Sequence, residues 1–174
     1  TNDPSLIQAG TAAFVVHPTV ITVSETINTP EGETATGPNY VRTLTLSATP
    51  APGQTLTNVV ITQPLPDNIQ VNSITPGPGG RLTSITLHDG TVVTNPAEIA
   101  ILIAANDVYI NSFTVAYDNL SGKTDTVVAF YVPEVDANGQ PVINPVTGDA
   151  VTVTLGPPTA SGQWVPLDPR DLTA

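Results

Sequence analysis

Short runs rich in Val, Ile and Thr recur along this chain, with prolines and glycines between them. "TVITVSETI" (19–27) and "RTLTLSA" (42–48) alternate at period two. A strand points successive side chains to opposite faces, so each run has one buried face and one wet face. β-Branched residues pack well on such a pleated surface. With 18 Pro and 13 Gly punctuating 174 residues, the pattern is that of an all-β protein with many turns.

The spacing predicts strands at 12–16, 19–26, 40–48, 56–63, 69–75, 82–87, 109–118, 124–133 and 150–155. "VVAFYV" (127–132) is continuously apolar and reads as a central strand. Asp89-Gly90 is a hairpin signal, and 30–39 and 75–80 read as polar loops. In "NVVITQPLPDNIQVNSI" (58–74), Pro64 and Pro66 remove ladder donors and end a strand. Leu65 between them can point into the core while Asp67-Asn68 turn the chain, which makes a corner. "NPAEIAILIAAND" stays open. Asn95, Pro96 and Glu98 make a helix start, yet Ile99, Ile101 and Ile103 alternate like a strand. The expected organisation is one sandwich domain spanning 1–174. It has an extended N-terminal arm or strand at 1–16, a core at 17–155 and a Pro-rich arm at 156–174.

Composition narrows function. The formal charge is −11, and Arg42, Arg81, Lys123 and Arg170 are the only Lys and Arg. Four cations build no basic patch, which argues against nucleic acid and anionic lipid as partners. No Cys is present, so disulfides and thiolate metal sites are excluded. No apolar run has spanning length, and no signal peptide is visible. A chain opening on Thr1 is expected to be processed or excised from a longer one. Acidic, Thr-rich, Lys-poor and Cys-free composition suits the extracellular space or a cell surface.

Motifs for chemistry are sparse. No Gly-x-Ser-x-Gly elbow or phosphate loop is present. His17 and His88 read as a strand kink and a turn. Calcium is the best chemical candidate: "EVDANGQPV" offers Glu134, Asp136 and Asn138, and Asp149 returns nearby along a long hairpin connection. The alternative is an ordinary Asn-Gly turn. Asp118, Asn119 and Asp125 form a similar second loop beside Lys123. A carbohydrate-active enzyme would need paired carboxylates and an aromatic platform, and the chain has one Trp.

"YVRTLTLSATPAPGQTLTNVVITQPLPDNIQVNSI" (40–74) resembles the domain-of-unknown-function-eleven repeat family of bacterial and archaeal surface proteins. Asn58, Ile61, Leu65, Pro66 and Ile69 match its pattern. Gln63 stands where an acidic residue is usual, and Asn68 where Gly is usual. "NSFTVAYDNLSGKTDTVVAFYV" (111–132) looks like the family's closing strands, and "GQWVPLDPRD" (162–171) like its module junctions. The resemblance implies an immunoglobulin-like sandwich, export, and a structural or adhesive role without catalytic residues.

The function expected from these features is non-enzymatic. The chain would be a subunit of an extracellular fibre, pilus-like filament or surface layer, with copies of itself as partners. An apolar arm carrying Leu6, Ile7, Phe14, Val15 and Val16 would complete a sheet of the next copy by strand addition. The alternatives are an adhesin or spacer module of a giant surface protein, with a host ligand, and the enzyme reading above.

Overall fold

A computed structural model describes residues 21–29 and 35–164. The strand and arm expected within 1–16 lie outside these residues. Among the described residues nine strands and one helix follow in order: β1 (Ile21–Asn28), β2 (Arg42–Pro50), β3 (Leu56–Pro64), β4 (Gln70–Thr75), β5 (Gly80–Leu87), β6 (Val92–Val93), α1 (Pro96–Ala105), β7 (Ile110–Leu120), β8 (Thr124–Tyr131) and β9 (Thr159–Trp164). They form two sheets ordered β1-β2-β8-β4 and β6-β5-β7-β3-β9. Every pairing is antiparallel. The protein is an all-β sandwich, as the alternating runs require.

The core lies between the sheets. From β2, Leu44, Leu46 and Ala48 turn inward, and from β8 Val128 and Phe130 do so. Val59 and Ile61 of β3 and Phe113, Val115 and Tyr117 of β7 meet them from the other sheet. "VVAFYV" does supply an interior strand, β8. In β3 the inward phase changes. Leu56 and Val59 are both buried because Asn58, at φ 51°, sits where the register with β9 shifts. Such a bulge resets which residues face the core.

The corner at 64–69 carries the chain from β3 in one sheet to β4 in the other. Leu65 is buried, and its N–H donates to the Asn111 carbonyl at 2.7 Å. Asn68 does not take up the left-handed backbone, which falls instead at Asn58 and Asn106.

Three local outcomes differ from simple alternation. Residues 96–105 are helical, because the Asn95 side chain accepts from the N–H groups of Ala97 and Glu98 and Pro96 takes the first turn. Asn106 ends the helix in the left-handed region. Residues 151–155 alternate in burial like a strand but pair with no strand among the described residues. The segment that does pair, β9, falls inside the stretch expected to be a C-terminal arm.

Candidate functional site

The two flanks of the sandwich are finished differently. On one flank α1 packs on β4 of one sheet and on β5 of the other. Ile99 is buried there, Leu102 and Ile103 pack against the core, and the Asn106 amide donates to Asn72 of β4 at 3.1 Å. The sheet edge on this side, β6, is two residues long. A short edge gives an incoming strand little to pair with. Between α1 and the strands runs an apolar groove of about 560 Å³, with Ile74, Leu82, Ile99 and Ile103 among its walls. Nothing among the described residues fills it.

The opposite flank is formed by β1 and β9, the outer strands of the two sheets. Here the core is poorly covered. Ile21, Val23 and Ile27 point inward but are only half-buried, whereas Leu44 on the neighbouring strand is 0% exposed. In β9, Thr159, Ala160, Ser161 and Gly162 are all exposed. Gly162 lies close over β3, where an added Cβ would come 3.1 Å from Val59.

Part of this flank is covered by residues 150–155. Ala150, Val151, Val153 and Leu155 pack against the core while Thr152 and Thr154 face out. The segment is held at its end by Gln63, whose amide donates to the Gly156 carbonyl at 3.1 Å. Among the described residues, no backbone hydrogen bond involves Val151 to Leu155. A hollow of about 280 Å³ separates Val151 and Val153 from Ile27, Thr29 and Arg42.

Register fixes where the chain ends leave. Ile21 pairs with Pro50, the last residue of β2, and Trp164 pairs with Leu56, the first of β3. The short connection 51–55 joins those two partners, so Ile21 and Trp164 share one corner of the open flank. Leu6, Ile7, Phe14, Val15 and Val16 are outside the described residues.

Of the calcium candidates, Asp136 shapes its own turn, and Glu134 and Asp149 take part through their main chain. One Asp136 carboxylate oxygen accepts from the N–H groups of Asn138 and Gln140, at 2.8 and 2.9 Å, and Gly139 takes φ 79°. The Asp149 carbonyl accepts from Asn144 N–H at 2.7 Å, which closes a second turn. Val142 N–H donates to the Glu134 carbonyl at 3.0 Å, tying the base of the loop. Among the described residues no three His, Asp or Glu side chains cluster. In the second loop Asp118 pairs with Arg81 at 2.9 Å and Asp125 accepts from Ser47 at 2.6 Å, so the two acids point to different partners.

His88 Nδ1 stands 3.9 Å from an Asp67 oxygen, beyond hydrogen-bond range. Its neighbour Asp89 accepts from Thr91 N–H at 2.9 Å, and that bond holds the Asp89 carboxyl below the usual carboxylate range. His17 lies outside the described residues. Among the described residues, no helix is long and apolar enough to cross a membrane.

No protein-family model matches the chain, and no curated protein or solved structure is significantly similar to it.

Proposed function

We propose that this chain is a non-enzymatic structural subunit of an extracellular fibre, pilus-like filament or surface layer. Copies join head to tail by β-strand addition, with the apolar segment before β1 as donor. The observation that carries this is the unequal finish of the flanks. One is closed by α1, while the other leaves Ile21, Val23 and Ile27 half-buried beside a segment whose main chain finds no backbone partner among the described residues. Unpaired edges beside exposed apolar surface are what strand addition consumes. The immunoglobulin-like class and the surface-protein repeat family suggested by residues 40–74 fit the same role.

An adhesin or spacer module of a longer surface protein is the second reading.

Deleting residues 1–16 and imaging the product by electron microscopy tests the function. The deletion should abolish filaments. Filaments that still form would rule out the arm as donor.

A further inference from the structure

We infer that α1 is a contact surface between two copies of this chain, paired about a two-fold axis so that Ile101 of each enters the groove beside α1 of the other. This contact is separate from strand addition and is built from described residues alone.

A helix that is apolar on every side is ordinarily covered on every side. α1 has one charged residue, Glu98, among its ten. Ile99, Leu102 and Ile103 turn toward the sandwich. The outer side presents Ala97, Ala100, Ile101, Ala104 and Ala105, all of them exposed. Ile101 is the large one, 67% exposed. It stands two residues from both Ile99 and Ile103, which on a 3.6-residue turn points it away from them. Among the described residues nothing covers this side.

Shape and charge identify the occupant as a second copy. The groove is a hole of about 560 Å³ beside α1, and Ile101 is a knob on the same helix. A patch that carries both is self-complementary, which is what a two-fold contact requires. The small side chains of Ala97, Ala100 and Ala104 let a second helix come close. Asn72, Ser73 and Arg81 are the polar residues of the groove walls. Arg81 donates to Asp118 in an exposed pair, and its guanidinium has five N–H donors in all. Glu98 is one turn from Ile101 on the same side of α1. Seating Ile101 therefore brings Glu98 toward the partner's Arg81, twice per pair. The whole chain carries −11, so copies repel over most of their surface. Glu98 and Arg81 are the charged residues of α1 and the groove walls, and they cancel. The α1 side is thus where like copies meet with least repulsion. α1 is about 15 Å long, too short to bury the roughly 1,200–2,000 Å² of a stable complex, so the pair is a transient one.

Because the chain has no Cys, a single introduced thiol reports a single contact. Helices packed about 8–10 Å apart bring facing Cα atoms within the roughly 4.4–6.8 Å that a disulfide spans. Ala97→Cys, Ala100→Cys and Ala104→Cys are made one at a time in the full chain and oxidised at high protein concentration with copper phenanthroline. At least one should give a disulfide-linked dimer about tenfold faster than Val146→Cys, a control that is 91% exposed on another turn. Adding Ile101→Lys to the reactive variant should slow the cross-link about tenfold, because a charge does not enter an apolar groove unpaired. Ile101→Ala, which removes the knob and adds no charge, should slow it too. Cross-linking no faster than at Val146→Cys, or equally fast with Ile101→Lys and Ile101→Ala, would overturn the inference. So would thiols at all three α1 positions that a soluble thiol reagent cannot reach in dilute protein, since the chain would then be covering its own helix.

Discussion

Gln63 holds Gly156 across the molecule: its wholly buried amide nitrogen donates to the Gly156 carbonyl at 3.1 Å and to its neighbour Pro64 at 2.8 Å. Two carbonyl acceptors need a donor, and a carboxylate offers none at neutral pH. That accounts for an amide at this position. It also ties the segment 150–156 to β3.

Gln63→Glu keeps the shape and reverses the chemistry. The variant buries a carboxylate against two carbonyl oxygens, so its acid should titrate above the ordinary glutamate range. A raised acid pKa leaves the folded state binding more protons than the unfolded one. The destabilisation should therefore be small below about pH 4 and grow as pH rises, reaching about 2 kcal/mol or more at neutrality. Urea midpoints measured from pH 3 to 8 check it.

Tyr117 of β7 and Thr126 of β8 join the sheets through their hydroxyls, 3.1 Å apart in the buried core. Gly77 N–H also donates to Thr126, at 3.3 Å. Tyr117→Phe should cost about 1 kcal/mol, since Thr126 keeps its second partner. Equilibrium denaturation reads the change.

The turn at 77–80 is packed against these same residues. A Cβ on Gly80 would run into the Tyr117 ring, and one on Gly77 would lie 2.8 Å from the Asp125 carbonyl and collide with the Thr124 hydroxyl. Gly77→Ala must move backbone and should cost about 1–3 kcal/mol. Gly90→Ala meets no atom within 4 Å but sits at φ 90°. Its cost is conformational alone, so the pair separates collision from backbone strain by their melting temperatures.

Asp89 offers a pH probe. Its carboxyl is lowered chiefly by the Thr91 N–H bond. A lowered acid pKa contributes stability above the unfolded pKa and loses it as pH falls through the folded value. NMR titration should place the Asp89 midpoint below 3.8. Thr91 amide protection should fade over the same acid range.

Calcium should leave the melting temperature unchanged, because Asp136 spends one oxygen on its own turn and no acidic cluster surrounds it among the described residues. Asp136→Ala should loosen the 136–140 turn with or without the ion. Thermal melts in calcium and in chelator make the comparison.

Much of the sandwich was legible because its strands bury one face. Leu44, Leu46 and Ala48 show the period directly, and the hairpin at Asp89-Gly90 forms with Leu87 N–H donating to the Thr91 carbonyl at 2.8 Å. The helix was half-legible. Its cap residues were correct, but an almost wholly apolar α1 gives no helical periodicity to weigh against the Ile99-Ile101-Ile103 alternation. Residues 150–155 misled in the other direction. Their alternation reflects a face laid on the core, and pairing depends on a neighbour that local sequence does not reveal. β9 was hidden because "TASGQW" is mostly small and polar. It is specified by the exposed edge of β3 and by Gly162, which admits close approach.

The shared corner of Ile21 and Trp164 has a mechanical consequence. Tension applied between those two residues would fall first on the Ile21–Pro50 and Leu56–Trp164 pairs and peel the outer strands one rung at a time. Tension that enters at Ile21 and leaves at Arg42, the far end of β2, runs along β1 instead. It must slide all eight residues of β1 past β2 together. Pulled between those two points, the fold is loaded in shear, the direction in which a ladder of weak bonds resists as one.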